Sequence, residues 1–259
     1  SSIGAKIYFF IDDYNKKKTF REMFFEIAKQ INLDFDKLPK NYSYSFVIQH
    51  NDNKIVSSFD IHKLYIISVY EIDNNNFTIQ ELNKNNIKNI FEHSNISFPE
   101  QYTEDSDIFK NIQNSSMSYN NQGIIVKYNN VRSKIRNPNF EYVRKLRGNQ
   151  PKLQYHYLYL KQNNLIDEYL KFYSESRVRF DEFQKNIDTF TDNLYTYYVS
   201  CYIKKLGPLY TFDFQYRNHM FKLHEIYINN LKPDRKSMNK TIVNDYINNL
   251  HPAQLMFSL

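Results

Sequence analysis

Apolar residues alternate through much of the first half of this chain and recur at three- and four-residue intervals after Asn137. That change of period predicts a sheet-rich part followed by a helical one. Ile7, Phe9 and Ile11 alternate, so Ser1 to Ile11 reads as a strand, closed by the polar turn Asp12 to Lys18. Thr19 and Glu22 have capping-box spacing ahead of Phe20, Met23, Phe24, Ile27 and Ile31, which predicts an amphipathic helix; Pro39 ends the connection after it. Tyr42 to Gln49 and Lys54 to Phe59 flank the polar Asn51-Asp52-Asn53 and read as an antiparallel hairpin, with Leu64 to Ile72 as a third, largely buried strand. Asparagine-rich loops, a short helix near Ile79 to Phe91 and a polar surface segment at Glu100 to Asp107 follow.

The run from Gln122 to Arg147 carries the chemistry. Gly123 leads the apolar Ile124-Ile125-Val126, Asn129-Asn130 supplies a two-residue turn, and Val131 to Arg136 returns with Arg132, Lys134 and Arg136 on one face. Asn137 as cap, Pro138 at the first helical position and Gly148 as terminator bracket a helix through Phe140, Val143 and Leu146. Arg144, Lys145 and Arg147 lie on it, and Lys152 follows. Three features of one charge sign in sequence order point to an anion site, against the blander reading of a solvated sheet edge defended by cations. Further helices are predicted over Leu153 to Asn163, Leu165 to Phe172, Val178 to Cys201, Tyr216 to Leu231 and Lys240 to Leu250. The expected class is therefore α+β: a mixed domain over 1–139 and an all-helical one over 140–259.

Two domains fit a length of 259 residues, each with its own core. The net charge of +6 favours a polyanionic partner without demanding one. The 23 Tyr and 21 Phe are too evenly spread to mark base-stacking sites by abundance alone. One cysteine, Cys201, leaves no internal disulfide or cysteine-based metal cluster, in keeping with a reducing, cytoplasmic setting. No apolar run approaches the roughly 20 residues of a membrane-spanning helix, and no signal peptide is evident. Both ends read as cuts, at Ser1 and within Gln254 to Leu259.

In their order, these pieces resemble the nucleotidyltransferase superfamily of ATP-dependent RNA and DNA ligases and mRNA capping enzymes, and are most similar to RNA ligase-like proteins of large DNA viruses. SSIGAKIYFF resembles the strand after the nucleophile motif, SYSFVIQHNDNKIV motif III, LYIISVYEI motif IIIa, QGIIVKY motif IV and SKIRNPNF motif V. The resemblance implies a lysyl-AMP intermediate, ATP with Mg or Mn as cofactors, and RNA ends or nicks as substrate. It implies that Lys134 and Arg136 contact the α-phosphate, with Gln122 and Gly123 beside the nucleotide. Phe46, or an aromatic of Leu64 to Tyr70, would lie near the adenine. Arg132, Arg144, Lys145, Arg147 and Lys152 would grip RNA.

The pattern is incomplete. No K-x-D-G nucleophile motif occurs between residues 1 and 259, Val47 stands where motif III carries glutamate, and Gln122 where motif IV opens with one. Neither valine nor an amide supplies a metal-binding carboxylate. Two readings follow: an active RNA ligase-like nucleotidyltransferase, or a catalytically silent relative that binds RNA, nucleotides or a protein. His219 and His224, five residues apart, do not share a helix face as a zinc pair would. His50 reads as part of an ordinary turn and Cys201 as a packed thiol, so no catalytic or metal residue is assigned.

Overall fold

The computed structural model describes residues 18–259 apart from Ser58, Asp60, Glu104, Asp105, Asn129, Asn130 and Pro151. The strand predicted over Ser1 to Ile11, nearly all of the turn after it, and the Asn129-Asn130 turn lie outside the described residues. The chain divides into two compact units at Arg147/Gly148. The helix predicted after Asn137 thus belongs with the first unit, whereas the sequence places the boundary at residues 139/140.

Helix α1 (Phe20–Gln30) starts as its sequence predicts. The Thr19 backbone N–H donates to Glu22 Oε2 at 2.6 Å while the Glu22 N–H donates to Thr19 Oγ1 at 3.2 Å, satisfying two of the donors a helix start leaves open. Its buried stripe, Met23, Phe24, Ile27 and Ala28, lies on one side. Strand β1 (Tyr42–Gln49) alternates as period two requires: Tyr42, Tyr44, Phe46 and Ile48 pack on a core of Phe24, Ile27, Leu64, Ile66 and Phe91.

The partner of β1 is not the predicted strand over Lys54 to Phe59. Residues 51–53 form a 3-10 turn, Val56 and Ser57 are buried without strand pairing, and β1 pairs antiparallel with β2 (Lys63–Asp73). The apolar character of this segment reflects burial of Val56 in a connection rather than a place in a ladder. A bulge between Ser45 and Phe46 shifts the β1/β2 register, and β3 (Thr78–Glu81) completes a three-stranded sheet in the order β1-β2-β3. The helix expected near Ile79 to Phe91 is split accordingly into β3 and α2 (Lys84–Ile90), the latter capped by Asn83. Helix α3 (Ile108–Gln113) precedes the second hairpin.

That hairpin, β4 (Gly123–Tyr128) and β5 (Val131–Arg136), is a separate two-stranded sheet. Helix α4 (Pro138–Arg147) follows it and buries Phe140, Val143 and Leu146. Gly148 closes α4 with φ +63°, the left-handed conformation glycine takes without penalty.

The second unit is all helical: α5 (Leu153–Gln162), α6 (Ile166–Phe172), α7 (Arg177–Tyr198), α8 (Phe214–Ile226), α9 (Lys240–Asn248) and α10 (Pro252–Ser258). Helices α7 and α8 each run on into a π turn, Val199–Ile203 and Tyr227–Leu231. Long α7 packs against α5, α8 and α9 through Phe180, Ile187, Phe190 and Leu194. Each such side chain contributes on the order of 2 kcal/mol by leaving water. Helix α10 lacks a sequence expectation; its apolar run is short, and Pro252 at its start satisfies the N1 rule. No described helix is long and apolar enough to cross a membrane.

Candidate nucleic-acid interface

Ladder register fixes which residues share a face of the β4–β5 ribbon. Gly123 pairs with Arg136, Ile125 with Lys134 and Lys127 with Arg132, so all six face one way. Three of the four cations are spaced along β5 at about 7 Å intervals, two residues of strand rise. Ile124, Val126, Tyr128, Val131, Ser133 and Ile135 face the other way. All of β5 is exposed, as are the last four residues of β4. Tyr128 is 77% exposed, beside the turn. The ribbon is therefore a two-faced arm, cationic on one side and apolar-aromatic on the other.

Its base is fixed by two buried or part-buried amides. Asn137, 0% exposed, extends the ladder by donating its N–H to the Gln122 carbonyl at 3.1 Å. Its side-chain Nδ2 donates to the carbonyls of Ser118 and Asn121, each at 2.8 Å, and its Oδ1 accepts from the Asn139 N–H at 3.1 Å. Asn139 Nδ2 in turn donates to Ser115 O at 2.7 Å and Met117 O at 2.8 Å. The predicted capping role of Asn137 is thus only part of what it does: it also binds the 115–122 loop to the ribbon and to α4.

The cations divide by partner. Arg136 Nη1 reaches Glu141 Oε1 at 3.2 Å and Arg144 Nη2 reaches Glu141 Oε2 at 2.8 Å, so one carboxylate holds two of the predicted anion-binding groups. Burial would raise Glu141, but the guanidinium of Arg144 and then that of Arg136 hold its carboxyl below the usual range. Lys127 pairs with Glu81 at 2.8 Å. Arg132, Lys134 and Lys145 have no ionic partner among the described residues and are exposed. Arg147 is partly buried on α4, and Lys152 is the residue ahead of α5 in the second unit.

The remaining predicted contacts lie elsewhere. Phe46 is partly buried in the core, its ring 5.4 Å from that of Phe24, 6.3 Å from Tyr44 and 6.2 Å from Phe91, and so is not presented to a ligand. Val47 faces outward, 51% exposed, and Gln122 is exposed just ahead of β4. A shallow depression of about 370 Å³, lined by Tyr102, Asp107, Asn111, Met117 and Asn121 among others, contains none of the predicted residues.

Charge is unevenly placed within the first unit. Residues 122–147 hold seven basic side chains against Glu141 alone, while residues 1–121 hold 13 basic and 16 acidic. The ribbon and α4 are formally +6 and the rest of that unit −3.

The histidines and the cysteine resolve differently from one another. His219 is buried and bonded on both sides, Nδ1 to Tyr246 Oη and Nε2 to Ser258 Oγ, each at 2.8 Å. His224 stacks on Tyr202 at 3.9 Å, so the two do not form a metal pair. Burial pushes the Cys201 thiol up, the opposite of nucleophile activation. What the sequence reading missed is a group in the first unit: Glu26, His50 and His62 place one ligand atom each within 4.8 Å of one another. No protein-family model, curated protein or solved structure matches the chain.

Burial lowers the pKa of His50, aided by nearby His62 and opposed by Asp52 and Glu26; it lowers His219 and His224 as well, with Lys222 and Lys232 adding to it. A histidine depressed in the folded state stabilises fully above its unfolded pKa of about 6.5, and that stability is lost as pH falls through the folded value. Acidification below pH 6.5 should therefore lower the melting temperature, with net proton uptake on unfolding. Loss of the lowered carboxylates Glu26, Asp73 and Glu141 follows only below about pH 4.5. Calorimetric melting in buffers of different ionisation enthalpy measures both.

Proposed function

We propose that this chain is an RNA-binding module of the first unit's β4–β5 ribbon and α4, without adenylyl-transfer activity of its own. The observation that carries it is the exposed one-sided array of Lys127, Arg132, Lys134 and Arg136, continued in sequence by Arg144 and Lys145, within a unit otherwise net negative. Phosphates exchange condensed counterions for such cations, which gives affinity without sequence choice. A two-stranded ribbon can also lay its row of cations along the backbone of a single strand. Tyr128, exposed near the tip, offers a ring on which a base can stack.

The ligase-like reading draws on the same residues and is less well supported. Catalysis on an α-phosphate needs Lys134 in a water-excluding cleft with a metal held by carboxylates. Lys134 is exposed on β5, and Val47 and Gln122 provide no carboxylate. RNA is retained as the partner because it is the polyanion the family resemblance implies.

Anisotropy titration of labelled single-stranded RNA across salt tests the proposal. Replacing Arg132 and Lys134 with alanine should weaken binding and reduce the slope of log K against log salt by about 1.4, two single-strand contacts. Lys88→Ala, on exposed α2, should leave the slope alone. RNA binding that is absent at low salt, or unchanged in the double variant, overturns the reading. A covalent adenylate formed with α-labelled ATP would restore the ligase alternative.

A further inference from the structure

Strand register brings two histidines together that are 12 positions apart. Gln49 pairs with Lys63 at the end of β1 and start of β2, so the next cross-strand position sets His50 opposite His62. Their rings lie 3.9 Å apart with 25° between planes. Glu26, on the partly buried flank of α1, reaches the same place: its Oε2 is 3.6 Å from His50 Nε2. His50 is 1% exposed, and its Nε2 is buried with no hydrogen-bond partner among the described residues. An unmet buried imidazole nitrogen costs on the order of 1–3 kcal/mol, so its position calls for a ligand.

We propose that Glu26, His50 and His62 bind a divalent transition-metal ion of the zinc type, with a fourth position open to water. A separation of 3.6 Å is too long for a hydrogen bond, yet close to the edge of a tetrahedron whose metal bonds are about 2.0–2.2 Å. Two imidazoles and one carboxylate select zinc, cobalt or nickel over magnesium or calcium, which prefer oxygen alone. Burial keeps His50 neutral, the form that ligates.

Three groups must adjust, and each can. His50 Nδ1 accepts from the Asp52 N–H at 3.1 Å, while Asp52 Oδ2 lies 3.7 Å from the same nitrogen. Ligation through Nε2 puts the proton on Nδ1, so the Asp52 N–H gives up that acceptor. The 51–53 turn, where Asn51 and Asp52 are exposed, then shifts to let Nδ1–H donate to the Asp52 carboxylate, the usual outer partner of a metal-bound histidine. His62, partly buried, turns out of the stack so that the two lone pairs converge. Lys18, now paired with Glu26 and exposed, gives way to the stronger cation.

The test is titration of the full chain with zinc chloride and, separately, the visible spectrum with cobalt(II). One equivalent should bind, with the intense d–d bands of a four-coordinate site, and tenfold excess magnesium should not displace it. His62→Ala and Glu26→Gln should each weaken binding at least tenfold with the fold retained by circular dichroism, and Asp52→Asn roughly tenfold or more. His93→Ala removes an exposed histidine paired with Glu92 at 3.2 Å and should change nothing. Absence of a stoichiometric site, or full affinity in both His62→Ala and Glu26→Gln, overturns the proposal.

Discussion

Gly123→Ala should open the β4–β5 ribbon and abolish the RNA binding proposed for it while leaving the three-stranded sheet folded. Gly123 has φ +130°, a conformation L-residues rarely adopt, and a Cβ there would sit 2.2 Å from the Ile135 carbonyl oxygen. That atom is backbone of the partner strand and can move only by breaking the Gly123–Arg136 pairing. Strain and clash together should cost the ribbon about 3 kcal/mol, on the order of a hundredfold in its closing equilibrium. Hydrogen exchange reads this directly: protection should fall for ladder amides of β4 and β5 but persist in β1 and β2. Unaltered protection of the ribbon would show that the strands tolerate the side chain and that their pairing does not depend on this residue.

Asn137→Asp should destabilise the first unit by about 3 kcal/mol, more than loss of a helix cap. Aspartate keeps an oxygen for the Asn139 N–H and so retains capping. It lacks the Nδ2 donors, and sets a carboxylate oxygen against the carbonyls of Ser118 and Asn121 in a position with no solvent access. Asn137→Ala loses both roles and provides the comparison. If capping alone mattered, aspartate would behave as wild type; if the bonds to the 115–122 loop dominate, aspartate is at least as damaging as alanine. Chemical denaturation of the three proteins separates these outcomes.

Legibility of the fold in the sequence followed the locality of the interactions. The capping box at Thr19, the helix bracketed by Pro138 and Gly148, and the β4–β5 hairpin depend on residues a few positions apart, and the chain forms them where its pattern says. The error at Lys54 to Phe59 came from a question the local pattern cannot answer, namely which strand pairs with β1. A strand over that segment would separate His50 from His62, so the β1/β2 pairing that stacks them is not evident from the local pattern. Glu26 had no local signal at all, since it reaches them from α1 through tertiary packing. Glu141 shows the same limit for charge: its sign was plain, but that it would hold both Arg136 and Arg144 depends on how α4 leaves the ribbon.

Among the described residues, the ribbon's two strands each pair on one side only, which leaves two open backbone edges on an arm that also exposes Val126, Tyr128 and Val131. Such edges invite sheet extension between neighbouring molecules. Like charge along the arm, Arg132 and Lys134 above all, would oppose such pairing between copies in dilute electrolyte. The cations proposed to bind phosphate would thus also act as a colloidal safeguard, so neutralising them with concentrated electrolyte or a saturating polyanion should favour self-association.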